Sequence, residues 1–224
     1  MITSINGWET RIPNIVKLMD EGEPVCVTFT YHSDISGNLD SKISADSELL
    51  FCEMVQKARY GGVFNVEKDG CPVGNYVLGK TNEPPFEYYL KSGRYKNRTA
   101  AYRASKSIPK ISKPYKSVWI EPLSINKGQF NVLILFLKPE SAMRIIQAYS
   151  YLEGKQIKIN TLGAASVCGE CIAKPISCGI GASFGCKGSR KHSKYKNTEV
   201  PIGISFEMID KIEEGLENTP DTWV

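Results

Sequence analysis

Seven cysteines, at positions 26, 52, 71, 168, 171, 178 and 186, are the residues of this chain best suited to chemistry. Four of them fall within AASVCGECIAKPISCGIGASFGCKGSRKH (164–192), together with five glycines and a basic end. Thiolates hold zinc and iron–sulfur clusters, and a thiolate beside a cation is a nucleophile. Cys168-x2-Cys171 has half of a zinc-knuckle spacing, but the gaps on to Cys178 and Cys186 match no zinc module or ferredoxin run. Gly169, Gly179, Gly181, Gly185 and Gly188 would let backbone N–H groups approach a sulfur closely, and Cys71-Pro72 sits in a turn signal. A structural metal contributes on the order of 10 kcal/mol to folding, whereas a packed thiol contributes roughly 1–2 kcal/mol. Metal or cluster ligation therefore gives the stronger account of an ordered glycine-rich segment. The local set Cys168, Cys171, Cys178 and Cys186 is one candidate ligand group for an iron–sulfur cluster or zinc, and thiols that merely pack are the bland alternative.

Other constellations carry less. His32 and His192 are the only histidines, and neither has a ligand partner at helical spacing. GIGASFG lacks the spacing and the strand–turn–helix setting of a dinucleotide fingerprint. No nucleophile elbow is present, and Glu121 at a strand end has no second carboxylate at a telling spacing. Cys186 beside Lys187 and Arg190 suits a reactive thiol, and Lys187 with Arg190 in a glycine-containing turn suits an anion. Three readings stay open: a metal or cluster protein with an electron-transfer or sensing role, a module for an anionic partner, and an enzyme with a cysteine nucleophile.

Charge is unevenly placed. Residues 91–116 hold nine Lys or Arg and no Asp or Glu, which leaves 19 basic against 24 acidic residues elsewhere. That segment and 187–196 form the expected surface for an anionic small molecule. Tyr95, Tyr102 and Tyr115 interleave with the basic run as they would on a nucleic-acid surface, but rings at such gaps more often pack inward, so nucleic acid is the less favoured partner. The odd cysteine count, the absence of an apolar leader and a longest apolar run of only VLILFL (132–137) point to a reducing cytosol and to no membrane span.

The elements that must position these residues follow from periodicity. Residues 12–19, 47–59, 84–92, 98–106 and 139–153 read as helices; 25–31, 117–122 and 130–137 read as strands. A short helix is expected from 164, ended by Pro175, and a strand then a helix capped by Ser205 follow Glu199. The expectation is a single domain over 1–224, of α+β (mixed α/β) class, with a central mixed sheet flanked by helices and a Gly/Cys-rich loop.

Several segments in order carry a resemblance: EPVCVTFT, the Cys52 helix with ARYGG, GCPVGNYVLG, EPLSINKGQFNVLILFLKPESAMRIIQAYSYLEG, AASVCGECIAKPISCGIGASFGCKGSR and EVPIGI. Together they resemble the domain of unknown function 169 family of anaerobic archaea and bacteria. The resemblance implies recurring cysteines at Cys52, Cys71, Cys168 and Cys186, with Cys26, Cys171 and Cys178 as extras, and an Asn131 where members often carry Asp. It carries no settled activity. It implies a cytosolic protein in which four distant thiols converge as a cluster site, a set that competes with the local one and that two helix-and-turn anchors would hold more firmly.

Overall fold

The computed structural model describes residues 7–31, 49–67, 70–113 and 115–219. Its strands are β1 (Val25–Thr30), β2 (Phe64–Val66), β3 (Ser117–Pro122), β4 (Val132–Leu137), β5 (Ile180–Ala182) and β6 (Val200–Ser205). They form one sheet in the order β2-β3-β1-β4-β6-β5, and all five pairings are antiparallel. The α+β class holds, and the sheet is antiparallel where a mixed one is expected. The unbroken apolar run of β4 reports two covered faces, not strand direction; every residue of β4 is indeed buried.

Helices supply that cover. They are α1 (Trp8–Arg11), α2 (Pro13–Lys17), α3 (Phe51–Ala58), α4 (Pro72–Val77), α5 (Phe86–Lys91), α6 (Arg98–Ser107), α7 (Pro139–Glu153), a π-helix (Ser166–Ala173), α8 (Lys174–Cys178), α9 (Lys187–Ser193) and α10 (Ile209–Asn218). On one face of the sheet Val27, Phe29, Ile120, Ile134 and Phe136 pack with α3, α4, α6 and the π-helix. On the other, Cys26, Leu133, Leu135, Ile202 and Ile204 pack with α2, α7 and α10. The alternation of β1 thus turns Cys26 away from Val25, Val27 and Phe29, as its period of two requires. Asn131 accepts the Phe29 N–H on Oδ1 at 2.7 Å, a bond between β1 and the start of β4 that an Asp would accept equally.

The segment around Cys168 departs most from expectation. Ser166–Ala173 is a π-helix, entered through Ala165 at φ 52°, and the Ala165 carbonyl accepts from both Gly169 and Glu170. Pro175 does not end it. Proline occupies the first turn of α8, where its missing N–H is tolerated, so the chain runs on from one helix into the next. The π-helix lies backbone-first on the sheet. Gly181 and Gly203 are direct cross-strand partners. A Cβ on Gly203 would stand 1.8 Å from the Cys171 carbonyl oxygen, and one on Gly181 would stand 1.9 Å from that of Glu170. Gly181, expected to free a loop around a ligand, instead permits this contact between helix and sheet.

A buried ion pair fixes α3. Arg59, at its C-terminal end, meets Glu199 at 2.7 Å with both side chains almost fully buried. The guanidinium also donates to the Glu21 carbonyl and lies 4.5 Å over the Phe136 ring, so α3 is tied to the turn before β6 and to β4. Breaking such a pair from one side strands a charge in the core.

Gly203→Ala is expected to cost about 3 kcal/mol of unfolding free energy, because neither backbone can yield to the new methyl. Gly128→Ala, whose Cβ would meet nothing within 4 Å, is the matched control and should be near neutral. Urea unfolding of both variants checks this, and equal midpoints would disprove the close approach.

Candidate functional site

Cys52, Cys71, Cys168 and Cys186 line one pocket of about 370 Å³. Each comes from a different helix start. Cys52 is the second residue of α3, Cys71 precedes α4 as its N-cap, Cys168 lies in the first turn of the π-helix, and Cys186 is the N-cap of α9. Cys186 caps α9 directly: its Sγ accepts the Ser189 N–H at 3.2 Å while the Ser189 hydroxyl accepts the Cys186 N–H at 3.0 Å. The GCKGSR stretch, read as a basic turn, is therefore a helix start. All four thiols are half-buried.

The local alternative set is dispersed. Cys171 is fully buried under the sheet and donates to the Pro201 carbonyl at 3.3 Å. Cys178 is exposed at the end of α8, donates to the Lys174 carbonyl, and lines a separate pocket with Glu153 and Lys211. Only Cys168 and Cys186 of that set share a pocket. Among the described residues, no three His, Cys, Asp or Glu side chains gather at the distances of a single metal ion. His32 lies outside the described residues. His192 lines the thiol pocket.

The two residues expected to hold an anion separate as well. Lys187 lines the pocket. Arg190 does not; its guanidinium donates to the carbonyls of Phe184, Lys196 and Glu199 and stacks 4.4 Å from the Tyr195 ring. It braces the turn before β6, a role its sequence neighbours do not signal. The basic run 91–116 is similarly spread out. Arg94 alone of its nine cations reaches the pocket, and Tyr88 accepts its NH2 hydrogen bond at 3.1 Å. Tyr115 packs on Phe29 and Tyr95 on Tyr89, leaving Tyr102 exposed.

Sequence reasoning missed several wall residues. Arg94 and Lys191 had a signal in the two charge runs, but Tyr88, Ser166 and Ser189 had none. Tyr89 adds an unusual feature: it is fully buried, and its hydroxyl has no hydrogen-bond partner. Burial pushes its phenol up from the ordinary value, and the nearby Tyr95, Cys168 and Cys186 add to the shift while Arg94 opposes it. Burial thus holds Tyr89 as a neutral phenol. An orphaned buried hydroxyl costs about 1–3 kcal/mol.

Burial also raises the Cys26 and Cys171 thiols, with Glu121 and Glu170 respectively adding to the effect. A folded-state pKa above the unfolded one gives stability that is full below the ordinary thiol value of 9.0 and is lost as pH rises past it. The unfolding free energy should fall above about pH 9, by up to about 1.4 kcal/mol per pH unit for each thiol. Cys171→Ala should flatten that slope. Urea titrations across the alkaline range test this, and an unchanged slope would disprove it.

The family model for domain of unknown function 169, described as "Uncharacterised ArCR", matches residues 15–215. The uncharacterized protein MJ0308 of Methanocaldococcus jannaschii is 28% identical over 187 residues, covering 80% of each chain. No solved structure gives a significant match.

Proposed function

The chain belongs to the domain of unknown function 169 family, and we propose that it is a cytosolic iron–sulfur protein with a redox or sensing role, its cluster held by Cys52, Cys71, Cys168 and Cys186. The observation that carries the reading is the meeting of these four thiols, from four separate helix starts, around one pocket. One further feature fits a cluster. Tyr89, next in sequence to the wall residue Tyr88, has a buried hydroxyl without a hydrogen-bond partner, and hydrogen bonds to cluster sulfur are among the means by which proteins set potential. A bound cluster would supply one-electron transfer.

The chain's own residues do the rest. The Arg59–Glu199 pair holds α3 and so Cys52. The glycine seat on β5 and β6 holds the π-helix and so Cys168. Phe51, Val73 and Val167 wall the pocket with buried apolar surface, which lowers the local dielectric and limits water. Cys26, Cys171 and Cys178 take no part.

Protein purified without oxygen should be brown, absorb broadly in the visible blue, and contain iron and acid-labile sulfide. Serine at any one of positions 52, 71, 168 or 186 should remove most of that iron, whereas Cys26→Ala, Cys171→Ala and Cys178→Ala should retain it. Zinc without sulfide, or iron unaffected by all four substitutions, would overturn the proposal.

A further inference from the structure

We infer that the thiol pocket takes a small organic phosphate, a phosphomonoester with an apolar body, whose dianionic head sits between Arg94, Lys187 and Lys191. The inference rests on the pocket assigned above and names what enters it beside the sulfurs.

The charge distribution leads to this class. Three cations line the pocket, and no Asp or Glu does among the described lining residues. None of the three cations forms an ion pair among those residues. Such a wall raises the local concentration of anions, because low-dielectric surroundings focus the field. The cations come from two elements. Lys187 and Lys191 stand one turn apart on α9, and Arg94 follows α5 across the pocket. Arg94 is set in place, with its guanidinium 5.2 Å from the Tyr88 ring centroid and donating to the Tyr88 hydroxyl. A planar fork and two ammonium groups on one pocket wall match a head with about two negative charges and three acceptor oxygens, which a phosphomonoester has and a monocarboxylate lacks.

Burial orders the pocket from mouth to floor. Lys187 and Lys191 are exposed, Arg94 is half-buried, and Phe51, Val73 and Val167 are buried. A ligand therefore presents its charge to the exposed lysines and its apolar body to Phe51, Val73 and Val167. About 370 Å³ lies within the range of small-molecule sites. The Ser166 and Ser189 hydroxyls, also on the wall, are already engaged with Ser183 and with Cys186 and Tyr195.

Calorimetric titration of the anaerobically purified full chain with phenyl phosphate tests the inference, with inorganic phosphate, phenol and succinate as comparison probes. Phenyl phosphate should bind saturably at one site and at least about tenfold tighter than inorganic phosphate or phenol. Arg94→Ala, and Lys187→Ala with Lys191→Ala, should each weaken it by about tenfold or more while melting temperature holds, and added salt should weaken it further. No saturable binding, binding indifferent to these substitutions, or tighter binding of succinate would each overturn it. Iron and sulfide measured on the same samples separate the two readings. Anion-binding variants should keep their iron, and phenyl phosphate bound by a wild-type protein free of iron would refute the cluster and leave the phosphate site standing.

Discussion

The contact between two paired glycines and the carbonyls of the π-helix is the constraint on which the rest depends. Gly181 and Gly203 face each other across β5 and β6, and any side chain at either would occupy the place of a backbone oxygen. Their lack of a Cβ lets a helix rest on the sheet at main-chain distance. That placement buries Cys171 against β6, sets Glu170 where it accepts the Leu162 N–H and the Ser183 hydroxyl, and brings Cys168 to the pocket. A π-helix is itself rare and concentrates at functional sites. Ala165, in the left-handed region at φ 52°, is the strained step by which the chain enters it.

Around that seat, position is set by interactions remote from the sulfurs. Arg59 and Glu199 are almost fully buried, and breaking such a pair from one side generally costs about 3–5 kcal/mol. Arg190 donates to two carbonyls of the turn that leads into β6, those of Lys196 and Glu199, and to the Phe184 carbonyl between β5 and α9. These two arginines meet the turn at the same residue: Arg59 through the Glu199 side chain, Arg190 through the Glu199 carbonyl. The thiol pocket has three cations and four half-buried thiols on its wall. A negatively charged group held by sulfur and an anionic ligand drawn from solvent would both be stabilised by that field.

Much of the scaffold was legible in the sequence because it follows from periodicity. The alternation in VCVTFT put Cys26 opposite Val25, Val27 and Phe29, and the stripe in PESAMRIIQAYSYLE with its terminal Gly154 gave α7 its observed span. Failures cluster where local rules yield to packing. Pro175 suggests a helix end but serves as a helix start, and GCKGSR reads as a turn but begins α9 through a cysteine cap. Strand direction in the sheet was not legible at all, since an apolar run records burial and not polarity.

The sequence by itself determined where the longer strands and helices such as β1, β4 and α7 would form, and that thiols and cations were available. Resemblance, not spacing, singled out Cys52, Cys71, Cys168 and Cys186, because they lie on separate segments with gaps that match no ligand motif. Only the tertiary structure decided that these four share one pocket while Cys171 and Cys178 face elsewhere, and that Lys187 lines it while Arg190 does not. The physical reason is that a local segment fixes only its own turn or strand. Which way a side chain points into a shared space depends on contacts such as Gly203 with Cys171 or Arg59 with Glu199, made across large separations in the chain.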